Sequence, residues 1–296
     1  MFTTLPSIYS LLEKSAAQYP EKLCVDDNYH SLTYKELLAR SKALAKGLSQ
    51  ITKIKKGQAV GIVLINSVTF VEVHFSLFCG GFISVPLDPE IKYNNLLYAI
   101  NKAELSVVIT DNIKIAKYLT SQLSSPIVIF SGENKEKYCY SLDKLFDYSG
   151  DQYKSTITNS RAIASYMFTT GSTGNPKAVV LSHFNVLSAI DNIVEFVGYE
   201  HNYHELVTLP LSHSFGLGHV YCNIAVGGRV SLLPGISDFR LLFNTLLEKK
   251  PNGFPGTPSG YSILVKRFPK KLRQCGSFLR QLVIDSEPLS SELNID

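Results

Sequence analysis

Between residues 59 and 130 the chain alternates wholly apolar runs with segments of helical period. Ala59–Leu64 holds no polar side chain. A strand that apolar has no face to offer water, so it belongs inside a sheet covered on both sides. A helix is expected to open at Ser67 and end near Cys79, stopped by Gly80-Gly81. The alternation continues with a strand at Phe82–Val85 before Pro86 and Pro89, a helix near Tyr93–Asn101, a strand at Ser106–Thr110, a helix at Ile113–Leu123 and a strand at Pro126–Phe130. Upstream, Leu37, Leu38, Leu44, Ala45 and Leu48 keep the helical repeat behind a Thr33 cap, and Lys56-Gly57 marks a turn. The rhythm restricts the fold to the α/β class, with mostly parallel sheets flanked by helices.

A polar stretch, Gly132–Ser160, separates this series from a second one. There the pattern predicts strands at Ala162–Phe168, Val179–Leu181, Leu206–Leu209, Val230–Leu232 and Leu282–Ile284. It predicts helices from about His183 to Val197, at Asp238–Lys249 and at Pro258–Arg267. The expected organisation is two packed α/β subdomains, residues 1–160 and 161–296.

Bulk properties narrow the function. The formal net charge is only +4, from 29 basic and 25 acidic residues. The dense basic runs, Lys53–Lys56 and Lys270-Lys271, lack interleaved aromatics and read as solvated faces, so no nucleic-acid partner is expected. Cys24, Cys79, Cys139, Cys222 and Cys275 are scattered, with no C-x-x-C, which argues against a zinc site or a disulfide framework. No metal ligand set is expected in the chain. The N-terminus carries no signal-peptide pattern. The longest uncharged stretches, near Phe75–Leu87 and His213–Gly228, are broken and fall short of the ~20 apolar residues of a membrane span. A soluble, cytoplasmic protein is the expectation.

The chemistry concentrates in residues 169–177, Thr-Thr-Gly-Ser-Thr-Gly-Asn-Pro-Lys, set between two apolar strands. Glycines let backbone N–H groups approach an anion, hydroxyls add donors and Lys177 adds charge, so the loop can cradle a polyphosphate. It is not a Walker A loop, because two residues separate Gly174 from Lys177. Composition alone favours an ordinary flexible surface loop.

The order of residues adds more. Tyr166-Met-Phe-Thr-Thr-Gly-Ser-Thr-Gly-Asn-Pro-Lys-Ala-Val-Val-Leu-Ser-His183 closely resembles the signature loop of the acyl-adenylate-forming (AMP-binding) superfamily, which includes acyl-CoA synthetases, fatty acyl-AMP ligases, luciferases and peptide-synthetase adenylation domains. Segments Leu32–Leu37, Gly57–Asn66, Gly80–Pro89, Leu209–Gly218, Gly256–Ser259 and Leu282–Leu289 match it in order, so the resemblance spans nearly the whole chain. It implies ATP-dependent activation of a carboxylic acid to an acyl-adenylate, with Mg²⁺, followed by thioester formation on coenzyme A or on a carrier protein. By this resemblance Thr169, Thr170, Gly171, Ser172, Thr173, Gly174 and Lys177 would hold the phosphates, and Ser286, Glu287 and Pro288 the adenine side. Lys177 and His213 would be catalytic, and His213, Phe215 and Gly216 would meet the acid. His183 reads as structural, a cap for the following helix.

Amino-acid-activating relatives place an aspartate in the His213 segment; Ser212, His213, Ser214 and Phe215 offer none, which favours a fatty or aryl acid. Two departures stand out. Ala178 replaces the glycine after the loop lysine, and Asp285-Ser286-Glu287-Pro288 replaces a glycine-rich turn. The family's later Mg²⁺-binding glutamate, ribose-binding aspartate and C-terminal lysine domain have no counterpart before Asp296. The expectation is therefore the front core of such an enzyme: an excised domain, half of a split enzyme completed by a partner chain, or a remnant that only binds nucleotide or acyl group.

Overall fold

The computed structural model describes residues 1–122, 127–132, 139–150, 153–156, 159–169 and 176–284. Its first part runs α1 (Tyr9–Gln18), β1 (Leu23–Asp26), β2 (Ser31–Thr33), α2 (Tyr34–Thr52), β3 (Ala59–Val63), α3 (Val68–Gly80), β4 (Ile83–Pro86), α4 (Tyr93–Lys102), β5 (Val107–Thr110), α5 (Ile113–Gln122) and β6 (Ile127–Phe130). Short β7 (Tyr140–Ser141) and α6 (Asp143–Phe146) follow. The second part runs β8 (Ile163–Thr169), β9 (Lys177–Ser182), α7 (His183–Val197), β10 (His204–Val207), α8 (Ser214–Val226), β11 (Arg229–Leu232), α9 (Phe239–Lys249), α10 (Pro258–Arg267) and α11 (Pro269–Cys275).

Local chemistry sets the helix ends. Thr33 and Glu36 form a capping box at α2: the Thr33 hydroxyl accepts from the Glu36 N–H at 3.2 Å, and Glu36 accepts from the Thr33 N–H at 2.8 Å. Ser67 caps α3 in the same way, 3.2 Å from the Phe70 N–H. Gly81, at φ +71°, ends α3 in the left-handed region that a side chain disfavours.

The strands form two sheets. The larger has the order β7-β6-β5-β3-β4-β8-β9 and the smaller β10-β11-β1-β2. Pairing is parallel throughout except at β8–β9 and β1–β2. The expected parallel α/β architecture therefore holds with one antiparallel partner in each sheet. Leu282–Ile284, expected as a strand, makes among the described residues only one isolated parallel bridge, Ile284 with Gly256, next to that of Gln281 with Gly253.

Each sheet draws strands from both sides of residue 160. β8 and β9 extend the larger sheet through β4, and β1 pairs with β11 at Val25–Val230. Asp26 locks that crossing. Only 2% exposed, it accepts from Arg229 Nε at 2.8 Å and Ser231 Oγ at 3.0 Å on β11, and from Lys249 Nζ on α9. The N-terminus is tied down as well, since the Phe2 and Thr3 N–H groups donate to the Asp191 carboxylate on α7 at 2.6 and 2.9 Å.

All five cysteines are free thiols, and all but Cys139 are buried. Among the described residues no helix is long and apolar enough to cross a membrane.

Candidate functional site

β8 and β9 pair antiparallel, with a register shift between Ile163 and Ser165 and an unbroken register beyond it: Ser165 opposite Leu181, Met167 opposite Val179 and Thr169 opposite Lys177. Alternation puts Ser165, Met167 and Thr169 on one face with Leu181 and Lys177. Thr169 and Lys177 thus form the loop end of the hairpin, and both are exposed. The Thr169 hydroxyl reaches the Lys177 carbonyl at 3.5 Å. Thr170, Gly171, Ser172, Thr173 and Gly174 lie outside the described residues, as do Ser286, Glu287 and Pro288.

Below this end, along the same sheet face, lies a cavity of about 770 Å³ between the hairpin, α7 and α8. That is within the range of small-molecule sites. Met167 and Leu181 form the sheet wall, Ala189 and Ile193 the α7 wall, and Phe215 and Leu217 belong to the α8 wall. No acidic side chain lines it among the described residues. α7 presents this wall because its cap is firm: the Ser182 hydroxyl accepts from the Asn185 N–H at 3.1 Å, and Asn185 Oδ1 accepts from the Ser182 N–H at 2.9 Å.

The site residues read from the sequence separate here. Phe215 lines the cavity. His213 is exposed and is not part of the wall; it is the N-cap residue of α8, beside Ser214, which does line the cavity. His213 therefore sits at the rim, where the first N–H groups of α8 and the helix dipole favour an anion. Gly216 also lies outside the wall. A methyl group there would come within 2.5 Å of the Pro210 carbonyl oxygen and 2.9 Å of the Leu209 oxygen, so this glycine allows close packing of α8 on the 209–210 backbone. Gly216→Ala is expected to cost about 1–3 kcal/mol in urea unfolding, as overpacking against backbone does.

His183 does not cap α7; Ser182 does. His183 is 1% exposed, and its Nδ1 accepts the Ile8 N–H at 3.2 Å, fastening the segment before α1. Burial lowers its pKa to about 4, so the ring is neutral, as an acceptor must be.

A polar cluster missed by sequence reasoning lies behind the α8 wall. Glu205 on β10, fully buried, accepts from Asn223 Nδ2 at 2.6 Å and from the Tyr199 hydroxyl at 3.0 Å, and its carboxylate lies 3.0 Å from His219 Nδ1. Burial, then the Glu205 charge, pushes the Tyr199 hydroxyl well above its ordinary range, so it remains a donor. Phe215 and His219 touch edge to face, with ring centroids 5.0 Å apart. Their four-residue spacing was the available signal, because it puts both on one helical face.

The arrangement offers a cation and a hydroxyl at a hairpin end, a helix N-terminus at the rim and an apolar chamber beneath. The first two suit the phosphates of ATP and the third an apolar acid. Among the described residues no group of three or more His, Cys, Asp or Glu could hold a metal ion.

A family model described as AMP-binding enzyme matches residues 12–294. Curated relatives include long chain acyl-CoA synthetase 5 of Arabidopsis thaliana, 27% identical over 276 residues, covering 86% of this chain and 40% of that protein. They also include nonribosomal peptide synthetase agiA of Aspergillus flavus, 26% identical over 271 residues, covering 90% of this chain and 3% of that protein. Among solved structures, the complex of VinN with L-aspartate superposes with a TM-score of 0.84 at 24% identity, covering 97% of this chain and 71% of that one. The chain thus spans half or less of these curated relatives, and the structural match shows the fold alone.

Proposed function

Because the chain belongs to the AMP-binding enzyme family, we propose that it takes part in ATP-dependent activation of a carboxylic acid, giving an acyl-adenylate and pyrophosphate. The observation that carries this reading is the continuous sheet face on which Thr169 and Lys177 stand at the end of a hairpin whose Met167 and Leu181 wall the apolar cavity. An acid whose body fills the cavity would bring its carboxylate to the rim, beside His213 and the α8 N-terminus. Lys177, Thr169 and, by resemblance, residues 170–174 would hold the β- and γ-phosphates. Ser286, Glu287 and Pro288 would face the adenine. Catalysis in such a site is positioning and charge stabilisation, which fixed donors supply as negative charge builds on the phosphates.

The acid is fatty or aryl rather than an amino acid. Burying an α-ammonium without a counter-charge is costly, and no carboxylate lines the cavity among the described residues. Transfer of the acyl group to a thiol, coenzyme A or the phosphopantetheine of a carrier protein, is the expected second step. The named relatives include both an acyl-CoA synthetase and a peptide synthetase.

Carboxylate-dependent ATP–pyrophosphate exchange with Mg²⁺ tests the reading across fatty and aryl acids. Gly218 supplies the control. It lines the cavity, and an added Cβ would meet nothing within 4 Å, so Gly218→Phe puts a ring into open space. Exchange should fall about 10²-fold, as expected when a misplaced substrate loses its reactive geometry, while the thermal melt stays cooperative. Unchanged exchange in Gly218→Phe would refute the cavity as the acid site. A second reading is a nucleotide- and acyl-binding core whose turnover needs more than these 296 residues. A folded wild-type chain without exchange that still binds ATP and acid would establish that reading.

A further inference from the structure

Among the described residues, three of the six polar side chains that line this largely apolar chamber are already committed. The Ser165 hydroxyl donates to the Ser84 carbonyl at 2.7 Å, the Tyr221 hydroxyl bonds His74 Nε2, and Asn185 closes the α7 cap. Asn192 and Ser214 are exposed at the surface end of the chamber. His219 differs. It lines the chamber, is only 4% exposed, and its Nδ1 is engaged by Glu205 and, at 2.7 Å, by the Tyr199 hydroxyl. Its Nε2 makes no hydrogen bond among the described residues. Among the described residues, four side-chain polar atoms are sealed from solvent without a hydrogen bond, those of Tyr9, Ser41, Ser212 and Asn223, and Nε2 is not among them. The unbonded nitrogen is therefore reached from the chamber.

Three groups hold the ring from behind. The Glu205 carboxylate takes hydrogen bonds from Tyr199 and Asn223, which orients it toward Nδ1. Phe215 packs against the ring from the preceding turn. The ring is thus fixed with its second nitrogen turned to the chamber. Along α8, His219 stands five residues, about 7.5 Å, past Ser214 at the rim.

From this geometry we infer that His219 is a specificity-determining residue that selects a carboxylic acid carrying a hydroxyl group on an otherwise apolar body. The inference rests on the reading of the chamber as the acid site. A hydroxyl satisfies Nε2 in either protonation state of the ring, since it both donates and accepts. A plain hydrocarbon covers Nε2 and leaves it without a partner. A site built to pair with a substrate hydroxyl discriminates against the analogue lacking it, because its own polar group is then stranded.

The test is calorimetric titration of the full chain with straight-chain and aryl acids, each beside analogues hydroxylated at successive positions. In wild type, at least one hydroxylated analogue should bind about tenfold tighter than its parent acid, the size of one net hydrogen bond. His219→Leu should bring that pair within about twofold, with the parent acid bound as well as before or better. His219→Gln, which keeps a hydrogen-bonding end, should retain part of the preference and guards against a Leu variant that fails to fold. Parent acids that bind wild type as tightly as all their hydroxylated analogues would overturn this inference and leave the acid-activation reading standing. A cooperatively melting chain that binds no acid would overturn both.

Discussion

Lys177→Ala is expected to lower carboxylate-dependent ATP–pyrophosphate exchange by about 10²-fold while leaving the thermal melt unchanged. The two halves of this expectation have separate physical grounds. Lys177 is exposed at the first position of β9, and its side chain packs no core, so its loss should alter stability by no more than about 0.5 kcal/mol. Its charge, however, stands opposite Thr169 at the mouth of the proposed phosphate site. Removing one preorganised donor from developing negative charge costs about 10²–10³ in rate. Lys177→Arg keeps the charge with a different fork and should recover only part of the loss. Exchange in Lys177→Ala within about twofold of wild type would remove this lysine from the phosphate site. A shifted melt would instead mean that the hairpin itself depends on it.

The second large effect is on stability. Asp26→Ala should cost about 3–5 kcal/mol in urea unfolding, because it leaves Arg229 and Lys249 half in and half out of the core without their carboxylate. The pH dependence carries a sign. Burial alone would raise the Asp26 pKa, but hydrogen bonds and charge from Arg229 and Lys249 outweigh it and hold the group below its ordinary 3.8. A carboxylate depressed on folding contributes stability above its unfolded pKa and loses it as pH falls through the folded one. The difference between wild type and Asp26→Ala should therefore be full at neutral pH and shrink below about pH 4. A difference that stays constant down to pH 2 would assign the cost to packing rather than to the ion pairs.

What could be read in advance follows from range. The Thr33 and Ser67 caps and the Gly81 stop are settled within a few residues of chain, and the structure has each of them. α8 was not legible. Ser214–Val226 carries no charged residue, holds two glycines and is buried almost all round, so it lacks the polar face that gives a surface helix its period. The antiparallel turn of β9 was legible and was passed over. The gap between Thr169 and Lys177 is too short for the crossover that parallel pairing demands. β1 was beyond reach, because its partner β11 lies far down the sequence, and β2, only three residues long, pairs with β1 alone. The site divides in the same way. The order of residues around Lys177 announced itself, whereas His219 is a lone histidine in an apolar stretch. Its meaning depends on Glu205 and Tyr199, which come from other elements.

The crossing of β1 onto β11 also sets a clock on synthesis. Asp26 and its partner Ser231 lie 205 residues apart. At about 5–20 residues per second, the first hairpin leaves the ribosome some 10–40 s before the strand that will flank it exists. For that interval the Cys24 and Val25 side chains, both 1% exposed in the finished molecule, lack the part of their core that Val230 and Leu232 supply. β1 therefore completes its pairing only after a strand some 200 residues downstream has been made.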